Sequence, residues 1–193
     1  MKHRNKQYTN RHQAGFTLIE TVIAILILSL SIGALLTLSA GGLFSVRYAR
    51  NQIVADNLAQ EGLEFLRNYR DTASIREVSW TDWTESLPSG CFQDDGCRID
   101  PYTEGSSLVA CSGACPGIVL YQFPDAPGFY GYSNGDYPFS TLGVTQLPTT
   151  YVRTIRFEQP DHNQLVVTST ITWRNGNATK TVSQSLLLTN WNI

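Results

Sequence analysis

Glu20 lies five residues after Gly15, and the 26 residues that follow it carry no charge. A carboxylate in hydrocarbon costs on the order of 3 kcal/mol even on lenient insertion scales. The chemistry open to such a group is pairing with a cation, because a partner offsets the desolvation of both. A second set of reactive residues is four cysteines, all between residues 91 and 115, in CFQDDGC and CSGAC. An even count in an exported segment reads as disulfides. The spacings C-x5-C and C-x3-C are not the C-x2-C knuckles of zinc sites, and no histidine is near them. Four cysteines allow three pairings. Local pairing gives Cys91–Cys97 and Cys111–Cys115. If CRID and LVAC face each other as a hairpin, Cys97–Cys111 inside Cys91–Cys115 is equally open.

The remaining candidates for chemistry are sparse. After residue 15 there is one histidine, His162, in PDHN. It reads as a solvated turn residue, and no Ser/His/Asp set can be built around it. No catalytic residue, metal or cofactor is expected, and the chain reads as a non-enzyme. QDD (93–95) and SNGD (133–136) fall short of the ligand density of a calcium loop and read as turns. Trp80 and Trp83 with Tyr130, Tyr132 and Tyr137 could line a sugar-binding surface; packing among loops is the simpler reading. NAT (177–179) matches a glycosylation sequon but adjoins a tight turn. No phosphate-binding loop occurs, so a motor for any assembly would be another protein.

Charge divides the chain into three zones. The first fifteen residues carry Lys2, Arg4, Lys6 and Arg11 and no acid. An apolar run follows, and then an acidic body: from Phe16 onward the formal charge is −6, with 10 Lys and Arg against 16 Asp and Glu. That body gives no basic footprint for nucleic acid. The run is too long for the 7–15-residue apolar core of a signal peptide, and SAGGLFSV is a poor cleavage site. Its length suits a single bilayer crossing. The basic residues before it hold the N-terminus in the cytoplasm, so the chain after about residue 47 lies outside the membrane.

Gly15 to Glu20 spell GFTLIE. A short basic leader, this hexapeptide and a long apolar helix resemble the N-terminus of type IV pilins and pseudopilins. The resemblance covers residues 11 to about 45. It implies cleavage by a prepilin peptidase between Gly15 and Phe16, N-methylation of Phe16, and a role for Glu20 in assembly. Carried to this chain, the new positive amine of Phe16 in one subunit pairs with Glu20 of a neighbour as the helices pack in a filament. The implied partners are other pilin subunits, the peptidase and methyltransferase, an inner-membrane assembly platform and the lipid bilayer. One departure is Thr37, where many pilins carry a helix-loosening proline; Gly33, Gly41 and Gly42 could loosen the helix here instead.

The elements around these residues complete the expectation. Ala55, Leu58, Gly62, Phe65 or Leu66, and Tyr69 recur at helical steps, carrying the helix on to about Asp71. The 56 residues from Phe16 to Asp71 would span about 84 Å. AQEGLEFLRNYRD resembles a segment of some prepilin-like proteins. Short strands are expected in 117–123 and 128–132. Three longer strands, 150–158, 164–173 and 178–189, should form an antiparallel meander, with Asn175-Gly176 as a type I′ turn. Leu165, Val167, Ile171 and Trp173 share the face that meets the helix. This C-terminal pattern resembles the end of V-type minor pilins. The fold expected is α+β, a pilin-like αβ-roll. Its parts are a leader (1–15), a transmembrane and assembly half-helix (16–46), an amphipathic half-helix (47–71) and an extracytoplasmic head (72–193). The function implied is a minor pilin or pseudopilin precursor, held in the inner membrane and then polymerised. The competing reading is a membrane-tethered adhesin or binding domain that never polymerises.

Overall fold

The structure, a computed structural model, describes residues 15, 17–100, 108–111, 119–123, 128–132 and 146–191. The chain divides after Arg47 into two compact units.

One helix, α1 (Leu18–Ile75), supplies all the regular structure of the first unit's described residues and opens the second. Its first part is rich in Leu, Ile and Ala and free of proline, so nothing interrupts the hydrogen-bond ladder. Gly33, Gly41 and Gly42 sit inside it without breaking it, and Thr37 bonds back to the carbonyls of Gly33 and Ala34. The helix runs one turn beyond the expected Asp71. It ends where Glu77 turns to φ 61°, with Val78 N–H on Ala73 O and Glu77 N–H on Ser74 O, each at 3.0 Å. That is a Schellman cap, with glutamate in the left-handed position usually taken by glycine.

The second unit is a single antiparallel sheet against the Tyr48–Ile75 part of α1. Its strands are β1 (Cys97–Ile99), β2 (Leu108–Ala110), β3 (Val119–Gln122), β4 (Tyr130–Gly131), β5 (Leu147–Asp161), β6 (Gln164–Asn175) and β7 (Ala178–Thr189). β5, β6 and β7 form the expected meander, in register from Val152↔Thr172 to Phe157↔Val167 and from Gln164↔Thr189 to Asn175↔Ala178. The other edge of β5 is shared: β3 pairs near its start and β1 near Ile155, each extended outward by β4 or β2. The β6–β7 turn is one residue later than expected. Because Asn175 pairs with Ala178, the loop is Gly176-Asn177, and of these only Gly176 has positive φ, at 63°. Glycine first with a normal residue second belongs to a II′-like turn rather than I′.

Alternation on β6 puts Leu165, Val167, Ser169, Ile171 and Trp173 inside. They meet Ala55, Leu58, Ala59, Gly62, Leu63 and Leu66 of α1. Phe65, the alternative to Leu66, is only partly buried. Two apolar clusters result, one around Leu63, Leu66, Ile155 and Phe157, the other around Ala55, Leu58, Ile171 and Trp173. Each fully buried Leu, Ile or Phe contributes about 1.5–3 kcal/mol, which fixes this part of the helix to the sheet. Two short helices went unforeseen: α2 (Trp80–Glu85) and a 3-10 turn, Ser89–Phe92.

Candidate functional site

The start of α1 is built by local hydrogen bonds. Thr17 is the residue before the first helical position. Its carbonyl accepts from Thr21 N–H at 3.2 Å and its Oγ1 accepts from Glu20 N–H at 3.3 Å. Thr17-Leu18-Ile19-Glu20 is therefore the T-x-x-E signature of a capping box, a signal in the sequence that the reading above passed over. Glu20 stands in the first turn, where the positive end of the helix dipole favours an anion by about 0.3–1 kcal/mol. Its side chain is exposed and makes no hydrogen bond or ion pair among the described residues. The backbone of Glu20 is thus capped in place, and its carboxylate's acceptor capacity is open among the described residues. Gly15 is exposed, and a Cβ there would meet nothing within 4 Å. The fold of the chain itself does not demand a glycine at that position. Phe16 and residues 1–14 lie outside the described residues.

Beyond Glu20 the helix offers an unbroken apolar surface, with Leu18 83 % and Leu38 74 % exposed. It is long and apolar enough to cross a membrane, and none of that stretch is buried within the protein. Most of its hydroxyls are satisfied internally, Ser45 being the exception among the described residues. Thr21, Ser29, Ser31, Thr37 and Ser39 each donate to a carbonyl three or four residues earlier, at 2.7–2.9 Å. In hydrocarbon an unpaired hydroxyl would cost several kcal/mol.

Residues 10–36 match the family described as the prokaryotic N-terminal methylation motif. The match spans Gly15, Phe16 and Glu20 and runs into the exposed apolar helix. That match, confined to the N-terminal segment, supports the resemblance to type IV pilins and pseudopilins. No curated protein matches it, and no solved structure does. The long apolar helix and the C-terminal antiparallel sheet match a pilin-like α+β fold.

In the head, Cys91 and Cys97 form a disulfide, with Cα atoms 4.8 Å apart. The 3-10 turn carries Cys91 beneath the start of β1. CRID and LVAC do face each other, with Cys97 opposite Ala110, yet the nested pairing of Cys97 with Cys111 does not form. Cys111 is also in a disulfide, and Cys115 lies outside the described residues. Gly96 makes the approach possible: at φ 64° its Cβ position would lie 2.6 Å from Ile155 O, so only glycine fits.

The other candidates disperse. Trp80 and Trp83 stack at 5.3 Å between ring centres and, with Arg70, Val78, Asn190 and Trp191, line a cleft at one end of the head. Tyr130 and Tyr132 belong to the second apolar cluster, apart from Trp80 and Trp83, and Tyr137 is outside the described residues. Asp94 of QDD pairs with Arg156 at 2.6 Å; SNGD lies outside the described residues. His162 is exposed in the β5–β6 turn, where its carbonyl accepts from Trp80 Nε1 at 2.6 Å. No group of three metal-ligating side chains occurs among the described residues.

One group that the sequence reading missed is Arg153. It is fully buried and donates to Glu61 Oε2 at 2.7 Å, to Leu58 O at 3.3 Å and to Ile99 O at 2.9 Å. Burial works to lower its pKa, but Tyr132 and Glu61 oppose this through charge and hydrogen bonding, and the net direction is up. The guanidinium therefore stays charged and ties α1, β1 and β5 together. Nearby, burial pushes the Tyr151 phenol up to about 12, with Tyr130 adding to the rise and Arg50 opposing it.

Proposed function

We propose that this pilin-type precursor is cut between Gly15 and Phe16, N-methylated on Phe16, and polymerised as a minor pilin or pseudopilin into a type IV pilus-like filament. The observation that carries the reading is the GFTLIE motif at the head of a long apolar helix whose surface is exposed among the described residues. A helix with that much exposed apolar surface belongs in lipid or against other helices. Glu20, capped in place with a free carboxylate, is the partner for a neighbour's Phe16 amine. Before assembly, residues 16–46 anchor the subunit in the inner membrane with its N-terminus in the cytoplasm. Residues 47–71 and 72–193 form the outward part. Prepilin peptidase, methyltransferase and the assembly platform act on it in turn. In the head, Cys111–Cys115 is the pair that remains once Cys91 is joined to Cys97.

Mass analysis of the N-terminus, from a host with prepilin peptidase, tests the processing. The expected mature chain starts with N-methyl-phenylalanine, and Gly15→Leu leaves the leader attached. A mature start near Gly41 would instead mean an ordinary signal peptide and end the pilin reading of residues 16–46. Fractionation of sheared filaments separates a polymerising subunit from a tethered domain, which would stay with the membranes. Non-reducing peptide mapping decides the cysteine pairing.

A further inference from the structure

We propose that the head binds anionic phospholipid headgroups through the end at which the chain enters it, using Arg50, Lys180 and Tyr48, with Arg174 on the outer face of the same hairpin. The proposal rests on the membrane-spanning reading of α1 given above. From Tyr48 onward the chain has nine Lys and Arg against fifteen Asp and Glu, so a cationic surface is not what composition alone would give. The cations are also unevenly used. Arg67, Arg70, Arg153 and Arg156 are each joined to an acid, Glu64, Asp71, Glu61 and Asp94 respectively. Arg50 and Arg174 are exposed and in no ion pair among the described residues, and Lys180 is half-buried with its ammonium 5.7 Å from the centre of the Tyr48 ring.

Those three cations come from two distant parts of the sequence and lie at one end of the head: Lys180, opposite Trp173, is on the sheet face that meets the helix, and Arg174, opposite Thr179, is on the other face. The β6–β7 hairpin turns at Gly176-Asn177, and the Lys180–Tyr48 contact fixes that turn at the first helical turn of the head. The same end holds Tyr151, whose OH donates to Asn51 O at 3.3 Å, and the half-exposed Leu147 that begins β5. The nearest following acid on the helix is Asp56, six residues past Arg50 and engaged by Gln184 at 3.3 Å. Tyrosine, arginine and lysine are the side chains that favour the headgroup layer, tyrosine for its amphipathic ring and the cations for phosphate. Tyr48 follows the apolar run directly in the chain, so this surface cannot leave the neighbourhood of the bilayer while the subunit is anchored. The occupant is therefore the lipid phosphate at hand rather than a soluble partner.

The test uses the full chain in nanodiscs of phosphatidylcholine alone or with one part in three phosphatidylglycerol, read by hydrogen–deuterium exchange. In the anionic discs, exchange in the Asn175–Lys180 hairpin should slow about fivefold, as attraction on the order of one Lys or Arg implies, and high salt should remove the difference. The Asp161–Asn163 turn at the opposite end should exchange alike in both. Arg174→Glu/Lys180→Glu should abolish the slowing, with unchanged exchange in β5 showing that the head is still folded; Arg174→Gln alone should halve it. Equal hairpin exchange in the two lipids, or slowing that survives the double charge reversal, overturns the headgroup site and leaves the anchor reading standing. Failure of the wild-type chain to enter discs of either kind overturns both.

Discussion

The two parts of α1 solve opposite problems with the same backbone. Up to Arg47 no residue of the helix is buried, and most of its hydroxyls turn back on their own helix. From Tyr48 some of the helix's polar groups are also engaged by residues far away in sequence. Arg153 finds Glu61, Gln184 finds Asp56, and the Tyr151 hydroxyl finds the carbonyl of Asn51. The second part is committed to one sheet, while the first keeps its whole apolar surface for whatever surrounds it. Specific pairing therefore holds the head together, and the other half carries a single charge, Glu20, between Gly15 and Arg47.

The sharpest way to break that contrast is at Glu20. Glu20→Gln keeps shape and cap but removes charge. Membrane insertion and cleavage after Gly15 should be near normal, while recovery in sheared filaments should fall at least about tenfold, as expected when a buried pair worth roughly 3 kcal/mol loses one member. Wild-type recovery would mean that apolar packing of Thr21 to Val46 carries assembly alone. The matching experiment in the other half is Arg153→Met. Chemical unfolding of the head should show a loss of about 3 kcal/mol, at the low edge for a broken buried pair because Glu61 keeps 27 % of its side chain exposed. Insertion should not change.

A smaller effect of opposite sign is expected at the end of α1. Glu77→Gly relieves the left-handed backbone at φ 61° and should raise the unfolding free energy by about 1 kcal/mol. A further effect is confined to alkaline pH. An unfolded tyrosine ionises near 10, whereas Tyr151 in the fold ionises at about 12. Between those values the folded state holds a proton that the unfolded state has lost, so stability falls as pH rises through the window. Tyr151→Phe should flatten that part of a stability–pH curve measured on the head, and an unchanged slope would show that the phenol is not its source.

How far the sequence could be read depended on whether the deciding forces were local. The GFTLIE motif, the apolar run and the parity of Leu165, Val167, Ile171 and Trp173 are properties of neighbours in the chain, and each is found where it was expected. α2 was missed although its start is written locally: Ser79 caps it, accepting from Asp82 N–H at 3.1 Å. The β6–β7 turn was placed one residue early because Asn175-Gly176 and Gly176-Asn177 are both good turn pairs, and the cross-strand register of Asn175 with Ala178 chose between them. Arg153 did leave a trace. It shares parity with Tyr151, Ile155 and Phe157, so an arginine was due on a buried face. Naming Glu61 as its partner required knowing how the helix docks, which no local pattern encodes. The same holds for Cys91–Cys97, where a glycine able to approach Ile155 O helped select among the pairings.

The hydroxyls of Thr21, Ser29, Ser31, Thr37 and Ser39 are bonded one turn back, which makes the first half of α1 indifferent to its solvent. A helix whose donors looked outward would have to break one set of bonds and form another on every change of surroundings, with a barrier at each. This one can pass from fatty acyl chains to the flanks of other helices, and back, with its internal bonding intact. What changes is only which carbon atoms it touches. Insertion and withdrawal become the same motion run in two directions, and the steep part of the energy landscape is confined to the one residue that carries a charge.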